Sequence, residues 1–212
     1  MKLVSIPKIF PWLFRKYLWN VSTNSKIIYL TFDDGPTPEV TSWVLHQLSL
    51  YQAKATFFCI GSRIQAYPEL MVQLLEEGHL LANHTYEHVN GWKTTTNDYL
   101  NEVLKTQETI LTFQENKTKY FRPPYGKITP KQTNALIKQG YQIVMWDILT
   151  YDFNSEFSVE KTLQKIYKNT QNGSIIVFHD SIKCKEKLYF MLPKVLKHFH
   201  EKGYQFDALP IK

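Results

Sequence analysis

Short runs of β-branched and aromatic residues alternate along this chain with segments in which apolar residues recur at helical spacing. The β-type runs cover seven stretches: 27–32, 55–60, 79–83, 120–121, 141–146, 174–178 and 204–206. The helical segments lie between them, over 39–51, 68–77, 97–111, 129–139, 159–169 and 188–202. Such alternation is typical of α/β proteins with parallel strands. The sequence therefore predicts an α/β fold, a distorted (β/α) barrel of about seven parallel strands.

The domain organisation follows from the lack of any linker, repeat or low-complexity tract in the 212 residues. We expect one domain over 27–212, preceded by an N-terminal extension over 1–26. Four apolar residues of the extension recur at helical spacing: Ile6, Phe10, Leu13 and Tyr17. We interpret the extension as a helix that packs on the barrel, and a peripheral membrane contact through 1–21 is the alternative.

Charge and composition exclude several classes of partner. Lysine and arginine outnumber the acidic residues by 25 to 19, but the lysines are scattered, so no nucleic-acid partner is predicted. No stretch is long enough to span a membrane, and no clear signal peptide is present, which favours a cytoplasmic or membrane-peripheral location. Cys59, in an apolar run, and Cys184, in a lysine-rich loop, do not indicate a disulfide framework.

Unusual polar residues follow five of the predicted strands, at the point where each strand ends. They are Asp33, Asp34, His84, His88, Arg122, Asp147, Asp152, His179 and Asp180. Because the carboxyl ends of parallel strands share one face of a barrel, we expect these side chains to meet in one site. Histidines scattered over a surface would not keep this register.

His84 and His88 are four residues apart, a spacing that lets two imidazoles reach one cation. With a carboxylate from Asp33 or Asp34 they form a three-ligand site that leaves a position open for water, as in catalytic zinc sites. Zinc fits this donor set best, and cobalt, nickel and manganese also suit it. The other carboxylate is left to accept a proton. His179 is a candidate proton donor, with a third metal ligand or a buried structural histidine as alternatives.

The loop after the fourth predicted strand adds a cation and a rigid turn. Arg122 keeps its charge and needs an acidic partner, for which Asp33 and Asp152 are the candidates. The two prolines at 123–124 stiffen the chain, so the backbone amide of Tyr125 can be a fixed donor to an oxyanion.

Four short motifs resemble those of the polysaccharide deacetylases, also called the NodB homology domain or carbohydrate esterase family four. They are TFDDGP at 31–36, HTYEH at 84–88, RPPYG at 122–126 and FHD at 178–180, in the family's order. The resemblance implies a metal-dependent hydrolase that removes N-acetyl groups from an N-acetylated carbohydrate, such as peptidoglycan or a chitin-like polymer. It makes Asp34, His84 and His88 the metal ligands, Asp33 the general base and His179 the general acid.

The resemblance also implies that Arg122 orients the base and that Asp152 orients His179. The residues expected to contact the substrate are Tyr125, Pro124, Phe153 and Val177. The fourth motif departs from the family pattern, because Leu149 stands in place of an acid and Phe153 in place of a tryptophan. We expect activity to survive this change, with a different wall beside the acetyl group.

Other functions on the same scaffold stay open at this point. They are an O-acetyl ester deacetylase of the xylan type, a deacylase of a lipid-linked sugar, and an inactive relative that only binds carbohydrate. The complete set of acid, base and ligands favours an enzyme.

Overall fold

The computed structural model describes residues 4–7, 9–115 and 119–211. Its strands are β1 (Ile27–Asp33), β2 (Ala55–Cys59), β3 (Leu80–Asn83), β4 (Lys119–Phe121), β5 (Tyr141–Ile143), β6 (Ile148–Leu149), β7 (Ile175–His179) and β8 (Gln205–Phe206). Its α-helices are α1 (Ile9–Leu13), α2 (Pro38–Ser49), α3 (Gly61–Ala66), α4 (Pro68–Glu76), α5 (Thr96–Leu111), α6 (Pro130–Lys138), α7 (Val159–Asn169) and α8 (Lys185–Glu201).

Seven parallel strands form one sheet in the order β5-β4-β3-β2-β1-β7-β6, curled into a half-barrel with helices around it. The short strand β8 pairs with the start of β1. Parallel strands need long crossover connections, and the helices predicted between the strands supply them. The predicted fold class, a distorted (β/α) barrel, is confirmed.

The central strand β1 explains why the sheet is stable. Its sequence IIYLTFD is a near-continuous apolar run, and six of its seven residues are buried, as expected for a strand covered on both faces. Phe32 stacks on Phe57 of β2 and on Phe178 of β7, with ring centroids 4.9 and 5.9 Å apart. These contacts fix the spacing of three neighbouring strands, two of which, β1 and β7, end in the polar residues Asp33 and His179.

The N-terminal extension differs from the long helix that its periodicity predicts. The helix α1 has only five residues, and a turn over 14–16 follows it. Ser5 forms a β-bridge with Ile148, and Leu18 forms one with Val144. The extension therefore pairs with both edges of the sheet, beside β6 and after β5. Unpaired sheet edges offer free amides and carbonyls, which favour extended backbone over further helical turns. Residues 1–3 and 8, which the prediction also covered, lie outside the described residues.

Smaller differences concern elements too short to give a periodic signal. The predicted strand over 141–146 ends at Ile143, and β6 is a separate two-residue strand. The six-residue helix α3 was not predicted, and α8 begins at Lys185 rather than at 188. None of the described helices is long and apolar enough to cross a membrane.

Candidate active site

The carboxyl ends of the strands surround a cavity of about 290 Å³. Asp33 ends β1 and lies in register with His179, which ends β7. The cavity is lined by residues from the ends of six strands and the loops after them: Asp33, Asp34, His84, His88, Pro123, Tyr125, Gly126, Trp146, Leu149, Phe153, Val177, His179, Ser181, Lys183 and Cys184. The residues predicted to be metal ligands, base and acid thus all line one cavity.

Asp34, His84 and His88 each turn one potential ligand atom toward the others, all within 4.8 Å. The Asp34 carboxylate oxygen Oδ1 lies 3.1 Å from His88 Nε2 and 3.6 Å from His84 Nε2. It has no hydrogen-bond partner among the described residues, although it is buried. Ligand atoms around a tetrahedral zinc ion lie about 3.4 Å apart when each bond is about 2.1 Å. The three side chains therefore fit a shared divalent cation.

The environment of His84 keeps it in the form that binds metals. Its Nδ1 lies 2.7 Å from the backbone carbonyl oxygen of Arg122, to which it donates, so Nε2 is left free to face Asp34. Burial lowers the pKa of His84 to about 4, against the opposing effect of the nearby carboxylates. The imidazole is therefore neutral at ordinary pH, and no proton competes for Nε2.

Strained backbone marks the loops of this site. Among the described residues, five of the six non-glycine residues with positive φ follow the strands that build the cavity: Asp34 (77°), Thr85 (63°), His88 (54°), Tyr125 (60°) and Tyr151 (53°). Each such conformation costs about 1–2 kcal/mol and persists only where the surroundings hold it. At Thr85, the buried Asn83 does so by accepting the backbone N–H at 3.0 Å. The site is therefore held in a fixed shape before any ligand arrives.

Arg122 is fully buried and holds Asp33 in place. Its Nη1 donates to Asp33 Oδ1 at 2.7 Å and to Thr31 Oγ1 at 2.8 Å, and Nη2 donates to the carbonyl of Met145 at 3.0 Å. A buried ion pair with this many hydrogen bonds holds the carboxylate in one orientation. Of the two partners considered for Arg122, the structure selects Asp33. Since its carbonyl also binds His84, Arg122 connects the candidate base to a candidate ligand.

Asp152 holds His179 through both of its carboxylate oxygens. One carboxylate oxygen of Asp152 lies 2.7 Å from His179 Nδ1, and the other accepts the backbone N–H of His179 at 2.8 Å. Burial alone would lower the pKa of His179, but the charge and hydrogen bond of Asp152 raise it to about 9, with smaller contributions from Asp34 and Asp33. His179 therefore carries a proton at neutral pH, as a general acid must.

The walls of the cavity match the predicted substrate contacts only in part. Tyr125, Phe153 and Val177 line it. The rings of Phe153 and His179 form a T-shaped pair whose centroids are 4.9 Å apart. Pro124 does not line the cavity: it is buried in a short 3₁₀ turn, and its neighbour Pro123 reaches the cavity instead. The substrate contact predicted for Pro124 therefore stays a prediction.

Several lining residues were not predicted. Trp146, Ser181 and Lys183 lie within a few residues of predicted strand ends, which was the only signal for them. Cys184 is buried in the cavity wall, and Ser181 Oγ lies 3.2 Å from its sulfur. Both cysteines, Cys59 included, are free.

Two acids expected at the site lie outside the cavity. Asp147 accepts a hydrogen bond from Ser174 at 3.0 Å, and burial raises its pKa to about 7. Asp180 accepts one from Thr41 at 2.5 Å and packs against Gly35, where an added Cβ would lie 2.1 Å from its carboxylate. Asp180 therefore supports the loop after β1 and explains why a glycine follows the acid pair.

Comparison with known proteins bears on this geometry. Residues 20–144 match the family model described as polysaccharide deacetylase. The chain belongs to the polysaccharide deacetylase family. The resemblance inferred from the four motifs is thereby confirmed.

Similar proteins cover nearly the whole chain. A peptidoglycan-N-acetylglucosamine deacetylase of Bacillus cereus is 35% identical over 192 residues, 89% of this chain and 88% of that protein. A chitooligosaccharide deacetylase of Azorhizobium caulinodans is 32% identical over 161 residues, 76% of each. The crystal structure of the Bc1960 peptidoglycan N-acetylglucosamine deacetylase, in complex with a naphthalenyl N-hydroxybenzamide, has a TM-score of 0.87 at 31% identity, covering 97% of this chain and 95% of that one.

Proposed function

We propose that this polysaccharide deacetylase is a metal-dependent hydrolase that removes N-acetyl groups from an N-acetylated sugar polymer of the peptidoglycan or chitin type. The observation that carries the proposal is the shared cavity, in which a three-ligand cluster lies beside a buried Asp33–Arg122 pair and a protonated His179. The names of the similar proteins support the substrate class. An amide is harder to hydrolyse than an ester, because its amine leaves only when it is protonated. His179 can donate that proton in this cavity.

Asp34, His84 and His88 would hold the cation. A zinc ion, or a cobalt, nickel or manganese ion in its place, would supply Lewis-acid polarisation of the acetyl carbonyl and of the attacking water when bound. Asp33 would take the proton of that water. Its bond to Arg122 fixes one carboxylate oxygen, which leaves the other to act as the base.

His179 would protonate the departing amine. Asp152 holds Nδ1, so Nε2 is the nitrogen that can deliver a proton into the cavity. Tyr125 would contribute its backbone N–H to the oxyanion of the tetrahedral intermediate, and its fixed left-handed conformation makes that amide a preorganised donor. Phe153 and Val177 would form the apolar wall beside the acetyl methyl group.

The test is acetate release by metal-defined protein from N-acetylglucosamine oligomers, peptidoglycan and O-acetylated xylan. We expect release from the amide substrates that chelation abolishes and added metal restores. Asp33→Asn should keep the metal and lose about two to four orders of magnitude in turnover. Release from acetylated xylan alone would show an ester deacetylase, and binding without any release would show an inactive relative.

The N-terminal extension supports a further proposal, a peripheral contact with an anionic membrane. Five apolar side chains are exposed, four in α1 and one in the residue after it: Ile9, Phe10, Trp12, Leu13 and Phe14. Arg15 and Lys16 follow them directly. Exposed aromatic side chains beside basic ones suit the boundary between lipid headgroups and acyl chains. This supports the predicted contact through 1–21.

A further inference from the structure

Trp92 lies on the loop between β3 and α5, four residues after His88. Its side chain is 65% exposed, the highest value among the large hydrophobic residues that the structure describes. A scattered surface leucine needs no explanation, but a tryptophan that leaves most of its ring in water beside an active site does.

The loop that carries Trp92 is held firmly. The indole Nε1 donates to the carbonyl of Ile128 at 3.3 Å. Gly91 approaches the neighbouring loop so closely that an added Cβ would lie 2.5 Å from the Lys127 carbonyl. The buried Gln132 side chain donates to the Gly91 carbonyl at 2.9 Å. The exposed ring is therefore fixed in position by its surroundings, as a preorganised binding surface requires.

Lys127 joins Trp92 to the mouth of the cavity. Its ammonium nitrogen lies 5.2 Å from the centre of the Trp92 ring and 6.0 Å from the centre of the Tyr125 ring. Tyr125 is 62% exposed and lines the cavity. Its ring and that of His88 form a T-shaped pair whose centroids are 4.6 Å apart. Tyr125, Lys127 and Trp92 form a continuous surface leading away from the candidate metal ligands, which we name the aromatic shelf.

The shelf has the chemistry to bind an acidic glycan. The C–H groups on the face of a sugar ring are weakly positive, and they are attracted to the negative face of an aromatic ring. Lys127 contacts the two rings, and no carboxylate pairs with it among the residues that the structure describes. An ammonium without an acidic partner, held between two stacking surfaces, favours a ligand that brings a carboxylate with its sugar rings.

We propose that the aromatic shelf is a glycan-binding subsite for the sugars next to the acetylated one, and that Lys127 selects glycans bearing a carboxylate on such a neighbour. The proposal rests on the proposed deacetylase function, because it places the reacting sugar in the cavity beside Tyr125. It favours a carboxylate-bearing N-acetylated glycan, such as peptidoglycan, over a neutral chitin-like polymer.

The test compares Trp92→Ala with Trp92→Phe, and Lys127→Gln with Lys127→Arg. Substrates are neutral N-acetylglucosamine oligomers of increasing length and peptidoglycan fragments that carry carboxylates. Trp92→Ala should raise KM for long substrates of both kinds about tenfold with kcat unchanged, while Trp92→Phe stays near the parent. Lys127→Gln should raise KM about fivefold for the carboxylate-bearing fragments only, and Lys127→Arg should restore it. Phe190 of α8, an exposed ring outside the cavity with the Lys194 ammonium 4.5 Å from its centre, supplies the control variant Phe190→Ala, which should leave KM unchanged.

Equal KM values for parent and Trp92→Ala at every substrate length would overturn the subsite. Equal effects of Lys127→Gln on neutral and charged glycans would overturn the selection for a carboxylate. Failure of the proposed function has a different signature, namely no acetate release by the parent protein. In that case binding of the same fragments, measured by calorimetry on the parent, Trp92→Ala and Lys127→Gln, decides the subsite on its own.

Discussion

Asp152→Asn tests whether His179 acts as an acid whose proton is held by its neighbour. Asparagine has nearly the same shape, but its single side-chain oxygen can accept only one of the two hydrogen bonds that Asp152 receives from His179, from Nδ1 or from the backbone N–H. The change removes the negative charge that lies 2.7 Å from the ring. Because Asp152 is 2% exposed, solvent screens that charge little, and its loss should be felt almost fully by the imidazole.

The size of the effect follows from the pKa of His179, about 9 in the parent protein. At pH 8 roughly nine-tenths of the parent carries the proton, against about 3% of a variant whose pKa has returned to 6.5. Amide hydrolysis should therefore fall about thirtyfold at pH 8 and less than about twofold at pH 5.5. His179 is protonated below its pKa. Because Asp152→Asn lowers that pKa, the basic limb of the profile of activity against pH moves to lower pH in the variant. A cation bound at Asp34 would lower the pKa of His179 in both proteins, so the difference between the two pKa values would remain.

The assay is acetate release between pH 5 and 10 from an N-acetylglucosamine oligomer, with an O-acetyl ester as control. The ester should be less affected, because its alkoxide leaves more readily than an amine anion. Superimposed pH profiles for parent and Asp152→Asn would refute the reasoning. An equal loss at every pH would point to displaced structure rather than to the proton of His179.

Two further predictions concern stability and membrane contact. Arg122→Met should lower the free energy of unfolding by about 3–5 kcal/mol, because it leaves the buried Asp33 carboxylate unpaired; adding Asp33→Asn should recover part of the loss in thermal melts, and full additivity would contradict the pairing. Replacing Trp12 and Phe14 by serine should reduce sedimentation with anionic vesicles about tenfold or more while release from soluble oligomers is unchanged. Unchanged sedimentation, or none by the parent protein, would contradict the membrane contact.

The sheet and the position of the site could be predicted because both depend on local pattern. An apolar run such as that of β1 specifies a buried strand, and its first polar residue, Asp33, marks the strand's end. Parallel pairing then brings residues far apart in sequence to one face, as the register of Asp33 with His179 shows. The motif resemblance added the individual roles.

What could not be predicted depends on tertiary contacts. The partner of Arg122 was open between two acids, and only the packing of β1 against its neighbours decides it. The bridges of the N-terminal extension to the sheet edges at Val144 and Ile148 are tertiary contacts, which helical periodicity does not reveal. Cys184 lies in the cavity wall, in a 3₁₀ turn over 182–184 that follows β7, which a lysine-rich sequence does not indicate.

The central claim is that Asp34, His84 and His88 bind a catalytic cation while Asp33 does not. The most direct test is metal content after zinc loading and gel filtration, measured by elemental analysis of the parent, His84→Ala and Asp33→Asn. The buried His79, which lies outside the cavity and accepts the backbone N–H of Ala55, supplies the control variant His79→Ala. We expect about one equivalent of zinc in the parent, Asp33→Asn and His79→Ala, and little in His84→Ala. Full occupancy in His84→Ala, or loss of zinc in Asp33→Asn, would contradict the account.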